Sequence, residues 1–321
     1  MRAAVVDSFT HAPTYGEFTQ PEQQDGEVLI TVAAAALSNL VKTQAAGRHY
    51  SSGNQLPFVP GNDGVGRTPE GQRVYFLGPR TPFGSMAECT VVPQRQTLPL
   101  PDAIDDVTAA ALGNPGMASW GALIGRAKLQ RGETVLVNGA TGVSGRQAVQ
   151  VAKYLGAKRV IATGRDAAAL EELRSLGADE VISLEQSADA LRDVLHAAFH
   201  DGDGTQVVLD YLWGRTAELL LTAMGGHGSD DGEPRIRYVQ IGSAAAPVIQ
   251  MSAAWLRSSG VELIGSGLGS LSSSAILDAL RTMYDAYAKG HFKIETEAVP
   301  LADVERAWDK MESGCRTVFT L

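Results

Sequence analysis

A chain of 321 residues, 44% apolar and 20% charged, is long enough for two domains and a large core, and its composition excludes a disordered or fibrous protein. The formal charge of −9 is spread along the chain rather than gathered in blocks, which argues against nucleic acid as a partner. No segment reads as a signal peptide or a membrane span, and Cys89 and Cys315 are too far apart for a disulfide framework or a metal motif, so a cytoplasmic protein is expected.

The first 113 residues carry short β-rich runs, such as 27–32 and 73–76, broken by Gly and Pro. They predict an antiparallel, partly barrel-like domain. From Thr134 the texture changes. Val135, Leu136 and Val137 make a short apolar run typical of a parallel strand buried on both faces. Gly139, Gly142 and Gly145 then stand three apart, a spacing suited to a tight turn with close backbone approach. Ala148, Val151, Ala152 and Leu155 follow as one helical stripe. A helix opening on such a turn directs free N–H groups and a positive dipole end at a pyrophosphate.

The next strand, 158–163, ends in Gly164-Arg165, twenty positions after Gly145. An acid there would bind the ribose 2′-OH of NAD, whereas an arginine suits the 2′-phosphate, so NADPH is the expected coenzyme. A glycine-rich structural turn and a merely solvated Arg165 are the bland alternatives. Asp166 reads as the N-cap of a helix over 166–176. Further strands are expected at 180–183, 206–212, 236–242 and 261–265, six in all, which implies a doubly wound parallel sheet. Thr141, Val143 and Ser144 on the turn, Thr163 and Gly164 beside Arg165, and Ile241, Gly242 and Ser243 at the end of the fifth strand are candidate coenzyme contacts, together with Gly139 and Gly142.

Residues 225–233 have the composition of a surface loop. Beyond them Ile276, Leu280, Met283, Tyr284 and Tyr287 form a helical stripe, as do Val304, Ala307, Trp308 and Met311, and a strand over 316–320 closes the chain. The tail is expected to rejoin the first domain. Domains are therefore drawn as 1–116 with 267–321, β-rich and catalytic, and 117–266, NADP-binding. The six histidines, at 11, 49, 196, 200, 227 and 291, show no metal-like spacing; His196 and His200 read as a surface pair.

A set of segments in this order resembles the medium-chain dehydrogenase/reductase superfamily, in its zinc-free quinone oxidoreductase, zeta-crystallin-like branch. They are Asn39 with Gly47 and Tyr50, then 57–66 (PFVPGNDGVG), 113–117 (GNPGM), the turn 138–145, 176–182 (LGADEVI) and 299–304 (VPLADV). The resemblance covers nearly the whole chain. It implies a Rossmann doubly wound α/β domain inserted into a GroES-like β-rich domain, hydride transfer from NADPH to a quinone or an α,β-unsaturated carbonyl, and a homodimer paired through the strand at 261–265. Zinc-dependent relatives carry a Cys near 37–40 and Gly-His-Glu where this chain reads Gly61-Asn62-Asp63, so no metal is expected.

The same resemblance assigns Asn39 and Tyr50 to the catalytic site and Asn39 also to the coenzyme. Asn39 would hydrogen-bond a substrate oxygen, or else stabilise a turn; Tyr50 would stack on or donate to substrate, or else pack as a loop aromatic. Two positions depart from the family pattern: Lys42 replaces a common acid, and Leu184 a common aromatic. His49 is a conceivable proton donor. The competing functions are an alcohol or aldehyde dehydrogenase, and an NADPH-binding structural or regulatory protein with weak catalysis.

Overall fold

The computed structural model describes residues 1–225, 233–310 and 314–321. Residues 226–232 of the loop expected at 225–233, with His227, and Met311 of the tail stripe lie outside the described residues. Two compact units result: Met1–Asn114 with Ile276–Leu321, and Pro115–Ala275.

The second unit is built on six parallel strands: β1 (Thr134–Asn138), β2 (Arg159–Gly164), β3 (Glu180–Ser183), β4 (Val207–Asp210), β5 (Ile236–Gln240) and β6 (Val261–Gly265). Their spatial order is β3-β2-β1-β4-β5-β6, which is the doubly wound arrangement expected. Helices α1 (Val143–Tyr154), α2 (Ala167–Ser175), α3 (Ala188–His200) and α4 (Gly214–Met224) link the first five strands in turn, and the short helix Ala253–Arg257 lies between β5 and β6. All five residues of β1 are buried, as a central strand covered on both faces requires. The core on one side gathers Leu136, Ile161, Val208 and Tyr238 from the sheet with Leu195, Phe199, Leu220 and Leu221 from α3 and α4.

In β1 and β4 an apolar run of three residues ends in a polar last one. There the register aligns Asn138 with Thr163 of β2 and with Asp210 of β4, and Asp210 with Gln240 of β5. A polar row thus crosses the carboxyl ends of four neighbouring strands, the edge at which parallel sheets hold ligands.

The first unit contains a seven-stranded sheet. Its path runs Glu295–Pro300, Cys315–Thr320, Glu27–Ala36, Asp63–Arg67, Arg73–Leu77 and Thr97–Pro99, and Cys89–Pro93 pairs with Glu27–Ala36 off this path. All pairings are antiparallel except that of Glu295–Pro300 with Cys315–Thr320. The strand at 27–36 outlasts its expected end because Ala33–Ala36 continue the ladder past a bulge at Val32/Ala34. Tail residues Val299, Leu301, Val304, Ala307, Trp308 and Phe319 share a core with Ala3, Val6, Leu37 and Val59. No helix among the described residues is long and apolar enough to cross a membrane.

Candidate functional site

The glycine turn that joins β1 to α1 is assembled by side chains from three strands. Asn138 is fully buried: its Oδ1 accepts from Thr163 Oγ1 at 2.8 Å, and its Nδ2 donates to Asp210 Oδ1 at 2.7 Å. Thr163 Oγ1 also accepts the Gly139 N–H at 3.3 Å, and the Thr163 carbonyl accepts the Ala140 N–H at 2.8 Å. Thr163 is thereby buried and committed to the turn, where it acts as a support beneath it. Gly139 sits at φ 86°, a left-handed conformation natural only to glycine. On Gly145 a Cβ would lie 2.4 Å from the Gly139 carbonyl oxygen and 2.5 Å from the Ala140 Cα, so close packing of helix on turn excludes any side chain there.

Gly142 is different. It is the N-cap of α1 in extended conformation, no side chain caps the helix, and a Cβ on it would meet no atom within 4 Å. The opening N–H groups of α1 are therefore left for a ligand, with backbone open to approach. Arg146, in the first turn of α1, braces the loop from behind: its Nε donates to the Thr141 carbonyl at 3.0 Å and its guanidinium pairs with Glu172 at 2.7 Å.

At the end of β2, Gly164 packs so tightly against Thr141 that a Cβ would fall 2.5 Å from Thr141 Cγ2. Arg165 follows, exposed and without a partner among the described residues. Asp166, one position on, accepts the Ala169 N–H at 2.9 Å as the N-cap of α2, as expected. Leu184 is half-buried against the hydrophobic core, and its N–H donates to the Gly164 carbonyl at 2.7 Å.

Asp210 closes the row from the other side. This buried carboxylate accepts from Asn138, from the Leu212 N–H at 2.9 Å, from the Trp213 N–H at 3.1 Å and from Tyr238 Oη at 2.7 Å. Burial, followed by the Asp210 charge, pushes the Tyr238 phenol well above its usual range. Trp213 adopts φ 58°, rare for a residue with a side chain and a cost of roughly 1–3 kcal/mol that the Asp210 bonds offset. Ile241 and Gly242 both donate backbone N–H to the Asp210 carbonyl, at 2.8 and 3.1 Å, and Ser243 is exposed beyond them. A Cβ on Gly242 would stand 2.7 Å from the Tyr211 carbonyl oxygen. The Tyr211 hydroxyl is buried with no hydrogen-bond partner among the described residues. Open turn, uncapped helix, exposed arginine and buried hydroxyl together fit a dinucleotide.

In the first unit Asn39 opens the helix Asn39–Ala45, but the capping is done by Ser38, whose Oγ accepts the Val41 N–H at 3.3 Å. The Asn39 amide is exposed and makes no hydrogen bond among the described residues, so the turn-stabilising alternative loses its support. Lys42 Nζ donates to the Lys310 carbonyl at 2.9 Å, tying that departure from the family pattern to the tail. Tyr50 is 73% exposed and stacks on His49 with centroids 4.1 Å apart, so it is not packed into the barrel. Asn62 and Asp63 are both engaged: the Asn62 amide donates to Gln44 Oε1, and buried Asp63 accepts from Tyr75 Oη at 2.8 Å. Burial raises the Asp63 carboxyl to about 6, against the lowering effects of the Tyr75 bond and the Arg316 charge. Among the described residues no group of three or more His, Cys, Asp or Glu side chains could hold a metal ion. The residues present do not fit the zinc of the wider superfamily.

Sequence reasoning missed the Asn138, Asp210 and Arg146 supports. A polar residue ending an otherwise apolar strand was the available signal for the first two.

Comparison with known proteins matches residues 145–283 to the zinc-binding dehydrogenase family model. A probable NADPH-dependent quinone reductase of Emericella nidulans is 28% identical over 99% of this chain and 99% of its own length. The quinone oxidoreductase of Thermus thermophilus, solved alone and with NADPH, superposes with a TM-score of 0.80 at 27% identity over 100% of both chains. The chain is thus similar along its whole length to a probable NADPH-dependent quinone reductase and to a solved quinone oxidoreductase. Rat quinone oxidoreductase is 32% identical over 64% of each chain.

Proposed function

We propose that this oxidoreductase transfers hydride from NADPH to a quinone or to the β-carbon of an α,β-unsaturated carbonyl. The single observation that carries the coenzyme reading is Arg165, exposed and without a partner among the described residues, directly after the glycine that ends β2. Enzymes named for NADPH-dependent quinone reduction and for NADPH-dependent alkenal/one reduction, the latter from Arabidopsis thaliana at 34% identity over 54% of this chain, support the substrate class.

When bound, the reduced nicotinamide supplies the hydride. The chain's own work is binding and electrostatics. The opening N–H groups of α1 at Gly142, Val143 and Ser144 receive pyrophosphate charge, and the Arg165 guanidinium pairs with the 2′-phosphate. Thr141 and Gly164 shape the adenosine side, and Ile241, Gly242 and Ser243 the nicotinamide side. Asn39 and Tyr50 are the groups assigned to a substrate oxygen, where an amide or phenol donor stabilises charge as it grows. An alcohol dehydrogenase is disfavoured because Asn62 and Asp63 are already engaged.

We further assign a cytosolic homodimer. Strand β6 is the exposed edge of its sheet and carries Leu263, 39% exposed, a ladder edge that pairing with a second copy would cover. The deciding experiment follows NADPH and NADH consumption over quinones, enones and aldehydes, with and without chelator. Chelator-insensitive, NADPH-selective turnover of quinones or enones is expected. Chelator-sensitive turnover of simple alcohols would replace this reading with a dehydrogenase, and tight NADPH binding with no oxidation with a binding protein.

A further inference from the structure

The loop after the helix Asn39–Ala45 carries a chain of hydrogen bonds whose direction is dictated by which atoms can donate. Asn62 Nδ2 donates to Gln44 Oε1, and Gln44 Nε2 donates to Ser51 Oγ at 2.8 Å. Ser51 Oγ lies 2.7 Å from His49 Nδ1, and the Ser51 backbone N–H reaches the same nitrogen at 3.2 Å. A backbone N–H can only donate, so Nδ1 is an acceptor and the ring proton sits on Nε2. The Ser51 hydroxyl, having accepted from Gln44, is free to turn its own hydrogen to Nδ1 as well.

The rest of the loop holds the ring in place. The His49 N–H donates to Ser52 Oγ at 3.2 Å, and the Tyr50 ring stacks at 4.1 Å. Nε2 itself has no partner among the described residues. Burial also moves His49 below the usual histidine range, against the imidazolium. The result is a neutral ring whose one N–H donor is unspent among the described residues.

We propose that His49, fixed as the Nε2–H tautomer by the Ser51 backbone N–H and held in place by the Asn62–Gln44–Ser51 chain, is a catalytic residue that donates this N–H to the substrate's carbonyl oxygen. The inference rests on the proposed reduction. Hydride adds to the electron-poor carbon, the π pair moves to the conjugated oxygen, and the Nε2–H bond stabilises the charge there. The proton that completes the reduction comes from water, so the ring keeps its own and needs no reloading. Such a neutral imidazole avoids the desolvation cost of a buried cation while still polarising the carbonyl. Gln44, Ser51 and Asn62 are positioning residues in this account.

The test compares full-length wild type, His49→Phe, His49→Gln and Gln44→Leu. Phenylalanine preserves the stack on Tyr50 but removes the donor; glutamine restores an N–H near the Nε2 position. With wild type turning over a quinone or enone, H49F is expected to lose kcat on the order of 100-fold, the usual cost of one lost oxyanion donor, with KM little changed. H49Q is expected to recover much of that loss. Histidine 15N–1H spectra should report the Nε2–H tautomer in both wild type and Q44L, because the Ser51 backbone N–H that sets it is untouched. An H49F kcat within threefold of wild type, or an Nδ1–H tautomer in the wild-type spectrum, overturns the proposal while leaving the reductase reading intact. Absence of any wild-type turnover removes the reductase reading and this proposal with it.

Discussion

Two alanine substitutions three residues apart in the glycine turn separate folding from coenzyme binding. Gly145→Ala puts a methyl 2.4 Å from the Gly139 carbonyl oxygen and 2.5 Å from the Ala140 Cα, both backbone atoms that cannot swing aside. Overpacking of that kind costs about 1–3 kcal/mol, and relief requires moving α1 off the turn. Gly142→Ala meets no atom within 4 Å, and its φ of −75° and ψ of 167° suit alanine. There, loss of a good N-cap costs about 0.5–1 kcal/mol, while the stiffer unfolded chain returns about 0.4–1 kcal/mol, so stability is expected to change little. The methyl nevertheless occupies the space from which a pyrophosphate would reach the opening N–H groups of α1. Chemical denaturation of the coenzyme-free protein should therefore rank G145A well below wild type with G142A close to it. Titration followed by nicotinamide fluorescence should find NADPH binding weakened at least tenfold in G142A. Wild-type affinity in G142A would refute the assignment of that open space to the pyrophosphate, whatever the stability data.

The remaining expectations are brief. Arg165→Ala leaves no protein group unpaired, so stability should hold, while the NADPH-over-NADH ratio of kcat/KM falls by about 1.5–3 kcal/mol, the range for a charged hydrogen bond; an unchanged ratio would place the 2′-phosphate elsewhere. Asp63, raised to about 6 from 3.8, holds its proton more tightly folded than unfolded. Its contribution is fully present below pH 3.8 and lost as pH rises through 6, about 3 kcal/mol at 1.36 kcal/mol per unit. Asp63→Asn should remove that decline from the stability-versus-pH curve, and parallel wild-type and variant curves between pH 4 and 7 would contradict it. Sedimentation should give a dimer; a single 33.9 kDa species at micromolar concentration would count against pairing through β6.

What the sequence by itself determined is whatever depends on neighbours along the chain. Apolar runs, the glycine triplet, the stripe of α1 and the Asp166 cap are set within a few residues, because helix and strand periodicity and cap chemistry are local. The six parallel strands and the position of Arg165 were legible for that reason. Only the tertiary structure decided how distant polar groups are spent. Asn138, Thr163 and Asp210 meet because register lays the ends of three strands side by side, and that meeting makes Thr163 a support. The bond from Asn62 to Gln44, which begins the chain that ends at His49, likewise joins groups well separated in sequence. Hydrogen bonds are short-ranged and directional, so their partners exist only once packing has brought the chain together.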